Sequence, residues 1–248
     1  MKKQFALLCA CIAVSLVQLS SCVKPPRDFE PRDGNSVFDN CRVKRVTIQS
    51  PAETIDFVYN SKGDPVTVTP SNIYTGHTKK AFYYDNKGKL NKMIEFYTGN
   101  DRYEQLHYYT YDNKNRIAVD TIYTFGALST GTAYGKSISY LIYDKLNRII
   151  TDSLVILSPV PNTFPTHYAY NEAGNRTNFG ATYDDKLNIH RTNKIWMFVD
   201  RDYSVNNPAV ADSYSYYKLP LSYLNPEAGF VGFIHLSLGN SVIEYDCK

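Results

Sequence analysis

The sequence predicts an all-β fold: one large antiparallel meander of repeated hairpins, curled into a half-barrel or closed on itself, with little helix after the N-terminal signal. Three observations predict it. A tyrosine followed by the same short turn recurs along the chain, and the residues flanking that turn alternate with period two. Residues that favour half-buried strands also dominate: 22 tyrosines and 12 phenylalanines stand among the 248 residues, with many β-branched neighbours.

The N-terminus is a separate matter. Lys2 and Lys3 precede an apolar run from Phe5 to Val17, too short to span a bilayer comfortably but suited to a secretory signal. The run closes with LSSC, Leu19 to Cys22, which resembles a bacterial lipobox: a large apolar residue, two small ones, then the cysteine that receives lipid. An ordinary signal peptide with an incidental Cys22 is the alternative. The lipobox implies a signal over 1–21 and a lipidated N-terminus with a flexible tether over 22–42. Proline, charge and small polar residues fill that tether. One β domain then occupies 43–248, enough for a proper core.

Cys9 and Cys11 leave with such a signal and Cys22 carries lipid, so Cys41 and Cys247 remain. In an oxidising envelope they are expected to pair, two free buried thiols being the alternative. The bridge would close nearly the whole domain, a constraint worth about 5 kcal/mol in the chain-entropy model. Charge excludes one class of partner. The chain has 27 basic and 24 acidic residues, and loss of Lys2 and Lys3 brings it close to neutrality. That leaves no electrostatic footprint for nucleic acid.

The repeat itself is defined by its turn. After Tyr59, Tyr84, Tyr111, Tyr143 and Tyr170 the first turn residue is Asn60, Asp85, Asp112, Asp144 or Asn171. Asp and Asn suit that position because their side-chain oxygen accepts from backbone N–H groups ahead of it. The fourth turn residue is Gly63, Gly88, Asn115, Asn147 or Gly174. A type I turn that joins two strands through a bulge puts this residue in the left-handed region, where glycine is free and asparagine is the best of the others. The copies recur roughly every 25–32 residues, room for two strands and two turns each. A sixth copy after Tyr183 has Leu187 in the left-handed slot and Asn188 behind it, which predicts a turn one residue longer. Residues two before each tyrosine (Phe57, Phe82, Tyr109, Leu141, Tyr168, Ala181) share its sheet face. Lys89, Arg116 and Arg148 are expected near their turn carboxylates and over tyrosine rings.

From Lys186 the pattern changes. The segment containing Trp196, Met197, Phe198 and Val199 is apolar enough for a core strand or a plug over the sheet. YKLPLSYLNPEAG is expected as loop punctuated by Pro220 and Pro226. FVGFIHLSLGNSVIEYDC, Phe230 to Cys247, is expected to form a last hairpin that brings Cys247 home.

Tyr-Asp-x-x-Gly/Asn-Arg resembles, in degenerate form, the YD repeat of Rhs-type proteins. Lipobox, hairpins and closing segment together resemble a family of Bacteroidota envelope lipoproteins of unknown function. The resemblance implies a β-rich lipoprotein of the cell envelope and outer membrane, periplasmic or surface-facing, and carries no catalytic residues.

Chemistry is sparse. His77, His107, His167, His190 and His235 show no metal-ligand spacing, so no metal or cofactor is expected. His107 and His167 are expected on opposite faces. No nucleophile elbow, phosphate loop or metalloprotease motif occurs. DTI at Asp120 and DSL at Asp152 resemble a Bacteroidota O-glycosylation acceptor, making Thr121 and Ser153 candidate sites, although repeat register explains the match too. The expected function is therefore a membrane-anchored structural or protein-interaction role, with another envelope protein as partner. A glycan-binding lipoprotein using exposed tyrosines is the alternative. A glycoside hydrolase built on a carboxylate pair is a second alternative.

Overall fold

A computed structural model describes residues 36–97, 99, 101–178, 182–208, 211–224 and 232–248. Cys22, the signal and most of the tether lie outside the described residues. Ordered contacts begin before residue 43: Phe38 is buried, and its N–H donates to the Arg191 carbonyl at 2.7 Å.

Ten strands run in sequence order: β1 (Cys41–Gln49), β2 (Ala52–Tyr59), β3 (Pro65–Pro70), β4 (Lys79–Tyr84), β5 (Leu90–Phe96), β6 (Arg102–Tyr111), β7 (Ile117–Ala127), β8 (Thr132–Tyr143), β9 (Ile149–Ser158) and β10 (Asn162–His167). A C-terminal region follows, with a 3-10 turn (Ile189–Thr192), helix α1 (Lys194–Val199), β11 (Ser213–Tyr214), β12 (Pro220–Tyr223), β13 (Gly232–Phe233), β14 (Leu236–Ser237) and β15 (Ser241–Cys247). Thirteen strands form one sheet in the order β10-β9-β8-β7-β6-β5-β4-β3-β2-β1-β15-β12-β11, with β13 and β14 paired apart from it. The sheet is antiparallel throughout and does not close, so the closed alternative is corrected. Its two edges differ from its centre: β11 has two residues, and β10 carries Pro165, which offers no N–H to a further strand.

The turns follow the predicted chemistry. Asn115 and Asn147 have φ of 61° and 60°, beside 88°, 76° and 80° at Gly63, Gly88 and Gly174. Asp112 Oδ1 accepts from the N–H groups of Lys114 and Arg116, both at 2.9 Å, and Asp144 does the same for Leu146 and Arg148. The fifth turn forms, but its flanks meet only in a bridge between Tyr170 and Arg176. Among the described residues the sixth copy forms no hairpin. Leu187 bridges to Asn206 instead, and Asn188 has φ −65° and caps the 3-10 turn by accepting from His190 N–H. Asparagine without a left-handed φ is an N-cap, and that use won here.

What the sequence did not reveal is how the copies interlock. Each repeat tyrosine donates its hydroxyl to the carbonyl six residues past the tyrosine of the preceding copy. Tyr84 reaches Pro65 at 2.7 Å, Tyr111 Leu90 at 2.8 Å, Tyr143 Ile117 at 2.7 Å and Tyr170 Ile149 at 3.2 Å. Tyr59 opens the series on Val43 at 2.8 Å. The post-turn cation covers the next copy's ring: Lys89 over Tyr111 at 5.0 Å, Arg116 over Tyr143 at 4.6 Å, Arg148 over Tyr170 at 4.1 Å. Burial pushes Tyr111 up to about 12, and Tyr59, Tyr143 and Tyr170 higher still. A further turn of this type occurs at Tyr214, with Ser215 in the Asp place and Lys218 at φ 62°; Tyr245 donates to Pro220. Expected as loop, this stretch is therefore partly strand.

The segment around Trp196 is the plug rather than a strand. It forms a six-residue helix in which Ile195 to Val199 are all buried. Trp196 packs against Phe57, Tyr59, Phe82 and Phe233 with ring centroids 5.7–6.3 Å away. Five residues on, Arg201 bonds Asp152 of β9. Seven strand spacings separate β2 from β9, about 34 Å in a flat sheet, more than five plug residues and their side chains span. The sheet must curl around the plug. Finally, β15 pairs β1 with Cys41 directly opposite Cys247, and the two are joined across a separation of 206 residues. Cys247 thus arrives on a sheet strand, not in the hairpin expected; β13 and β14 make that hairpin alone.

Candidate functional site

The copies place a polar row on the inner, plug-facing side of β6–β10. In β6 the inner residues are His107, Tyr109 and Tyr111; in β7 Asp120 and Ile122; in β9 Asp152, Leu154 and Ile156. Cross-strand register aligns Tyr109, Asp120, Ser139, Leu154 and Phe164 in one line across five strands. Towards β10 the plug ends, leaving a cleft of about 570 Å³ between these strands, Phe198, Val199, Arg201 and His235.

Arg201 organises the floor. It sits just past α1 with φ 53°, where its N–H reaches the Phe198 carbonyl and the N–H of Asp202 reaches the Met197 carbonyl at 3.0 Å. This is a helix stop that ordinarily uses glycine. An arginine there bears a left-handed backbone, a cost of about 1 kcal/mol. Its side chain accounts for the choice. Nε donates to Asp152 Oδ2 at 2.9 Å, Nη2 lies 3.7 Å from Asp120 Oδ2, and the guanidinium covers Phe198 at 4.5 Å. Burial alone would lower the Arg201 pKa, but the Asp152 and Asp120 carboxylates more than reverse this and hold it protonated. Asp120 also takes His107 Nδ1 at 3.0 and 3.1 Å, and His107 Nε2 faces Gln105 Oε1 at 3.0 Å.

A second ionic chain pins the plug further along. Glu95 lies 3.5 Å from Lys80 and 3.6 Å from His235, and accepts from Thr78 Oγ1 at 3.0 Å. Burial opposes the Glu95 charge, yet Lys80 and His235 hold it well below the usual carboxylate range. Asp200 takes His190 Nε2 at 2.6 Å and the backbone N–H groups of Ile234 and His235. Burial works against its charge too, and the His190 hydrogen bond leads the groups that outweigh it.

These findings place the residues singled out in the sequence. His107, His190 and His235 join the two ionic chains, although nothing in their spacing connects them. His167 lies on the outer face beside Thr151, opposite to His107. Asp120 and Asp152, the acids of DTI and DSL, clamp Arg201. Thr121 and Ser153 therefore point outward, in mid-strand, opposite Tyr108 and Ile138 and opposite Tyr140 and Pro165. Asn60, Asp85, Asp112, Asp144 and Asn171 serve their turns. Among the described residues, no group of three or more His, Cys, Asp or Glu side chains could hold a metal ion, and no helix is long and apolar enough to cross a membrane.

Among the described residues of the cleft, His107 Nε2 faces Gln105 Oε1, and the Asp120 and Asp152 carboxylates share the Arg201 guanidinium.

No protein-family model matches the chain, and no curated protein matches it. Among solved structures the chain is similar to a component of the Photorhabdus luminescens Tc holotoxin pore, at 12% identity and a TM-score of 0.22. The match covers 67% of this chain and 9% of that one.

Proposed function

We propose that this chain is a lipid-anchored envelope protein, of the Bacteroidota YD-repeat type, whose repeats form a structural and protein-interaction scaffold. One observation carries the reading: the repeat tyrosines are used up in joining copy to copy. Each hydroxyl is bound to the preceding copy and, from Tyr111 to Tyr170, each ring is covered by a cation. A surface built to display rings to glycan would leave those faces open. The hydrolase reading loses support because Asp120 and Asp152 are committed to Arg201, whereas a glycosidase needs one protonated acid and one free carboxylate.

The anchor is tested at Cys22. Replacing it with Ala in the full chain should abolish labelling by a fatty-acid analogue and release the protein from membranes. Labelling that persists in the variant ends the lipoprotein reading. The scaffold role is tested by cross-linking in intact cells: wild type should be recovered joined to a defined envelope protein, and the Cys22→Ala variant should not.

A further inference from the structure

The outer face of β4–β8 carries rings and cations of its own. Cross-strand register puts Tyr83, Lys92, Tyr108, Thr121 and Ile138 in one line across these strands, pointing away from the plug. Tyr123 and Lys136 pair two residues further along. Beside them lies a small second core of Ala81, Ile94, Phe96, Tyr103 and Leu106, separate from the one around the plug, and Tyr123 packs on it. The side chains of the line then meet one another. Lys92 lies over the Tyr83 ring at 4.2 Å, Tyr108 meets Tyr123 edge-on at 6.3 Å, and Lys136 lies over Tyr123 at 5.4 Å. Tyr83 and Tyr108 remain 39% and 47% exposed. Neither is a repeat tyrosine, so the ladder between copies does not account for them.

Charge is sorted across the same strands. Their carboxylates are Glu95, Glu104 and Asp120. Glu95 and Asp120 turn inward to Lys80 and Arg201, and Glu104 is buried, accepting from Gly76 N–H at 2.8 Å. The outward Lys92 and Lys136 are met by rings instead, so their charge is left for whatever approaches the face. Tyrosine with lysine is the composition of a bilayer interface, where the ring sits at headgroup level and the lysine reaches phosphate. A convex strip gives a partner protein's anchoring side chains little to enter, whereas headgroups need no pocket. The anchor brings such a surface within reach: from Cys22 to Ser36, the first described residue, the chain spans at most about 50 Å. We propose that the outer face of β4–β8 docks on the anionic phospholipid surface of the membrane that holds the anchor. Tyr83 and Tyr108 then lie among the headgroups, with Lys92 and Lys136 on the phosphates. This rests on the lipid-anchored reading above.

The test uses the mature chain, purified from membranes in detergent and reconstituted into vesicles of phosphatidylglycerol and phosphatidylcholine brominated high on its acyl chains. Trp196, the only tryptophan, is 0% exposed in the plug and supplies an unquenched background. Tyr108→Trp puts an indole on the proposed face, and Tyr83→Trp puts a second one there should the first variant fold poorly. Tyr216→Trp is the counterpart. Tyr216 is 57% exposed and stands at the root of the tether, linked through Tyr217 to Phe38 by ring-centroid distances of 5.4 Å. Emission from the face variants should be quenched about twofold or more beyond that from Tyr216→Trp. Adding Lys92→Glu and Lys136→Glu should reverse the order, since each lysine is worth roughly fivefold on an anionic surface. Quenching of Tyr216→Trp equal to or above that of the face variants would overturn the docking, because the tether alone would then set the distance. Quenching of the face variants that both glutamates leave unchanged would overturn it too. A mass spectrum showing no lipid on Cys22 would end the anchor reading instead, and the same comparison with added vesicles would still decide the face.

Discussion

Arg148 holds its own turn through Asp144, at 2.8 Å, while its guanidinium lies 4.1 Å from the ring centroid of Tyr170 in the next copy. One side chain therefore ties the inside of a turn to the neighbouring repeat. The same pairing joins Arg116 to Asp112 and Tyr143. Local turn geometry and long-range sheet assembly are thus not independent here.

The ladder hydroxyls are the first place to measure this. Tyr111→Phe keeps the ring and removes the bond to Leu90, leaving that carbonyl without the tyrosine. Denaturant melts should show a loss of about 1 kcal/mol. A change under about 0.3 kcal/mol would mean that the hydroxyl ladder contributes little and ring packing carries the contact.

Asn147 separates backbone strain from side-chain contact. Asn147→Val forces a β-branched residue to φ 60° and should cost about 1–2 kcal/mol. The same change at Asn86, whose φ is not positive, should cost much less. Asn147→Gly should be close to neutral: it relieves the backbone but loses the 3.3 Å contact from Arg116 to Asn147 Oδ1. Equal melting of the two valine variants would contradict the bulge assignment.

The plug clamp predicts a large asymmetry. Arg201→Leu leaves the buried Asp120 and the half-buried Asp152 without their shared cation, a loss of about 3 kcal/mol. Adding Asp120→Asn and Asp152→Asn to that variant should recover much of it. A single variant as stable as wild type would show that the plug is held by its apolar residues alone.

Alkali should unfold this protein cooperatively. The pKa values of Tyr59, Tyr143 and Tyr170 are raised by burial above the unfolded value of about 10. Their contribution is complete below that value. It is lost as pH rises past it, at about 1.4 kcal/mol per pH unit for each, until the folded value is reached. Tyrosinate absorbance and loss of circular dichroism should rise together above pH ~10; ionisation of these tyrosines in a folded protein would refute their burial.

The bridge is checked by peptide mapping without reductant, which should recover Cys41 and Cys247 joined. Replacing both by Ser should cost about 2–5 kcal/mol. Recovery of two alkylatable thiols from native protein would exclude the bond.

Legibility followed distance along the chain. Asp112 and Asn115 act on backbone groups within four residues, so their roles were open to reading from order alone. Lys218 takes the same left-handed place as Asn115, but lysine signals no such conformation and Ser215 signals it weakly. Asn188 looked like a displaced turn residue because asparagine suits both left-handed turns and helix caps. Arg201 was hidden most thoroughly. Its partners lie 49 and 81 residues upstream, and its backbone occupies a glycine's usual place. The period that puts Asp120 and Asp152 nine residues after their tyrosines was visible, and it placed both acids on one face. That they converge on a cation delivered by the plug is a property of the curl.

The last strand, β15, lies beside β1, and the hairpin copies run away from that flank towards β10. This gives the array polarity in copy number. Each repeat tyrosine from Tyr84 to Tyr170 refers back to the copy before it, so a further hairpin inserted after β10 would find its acceptor carbonyl already in place. One inserted between β15 and β1 would separate Cys41 from Cys247. Related chains of different length should therefore vary at the β10 side, where the uncovered cleft lies, and lengthening there would change what the cleft holds without disturbing the cross-linked flank.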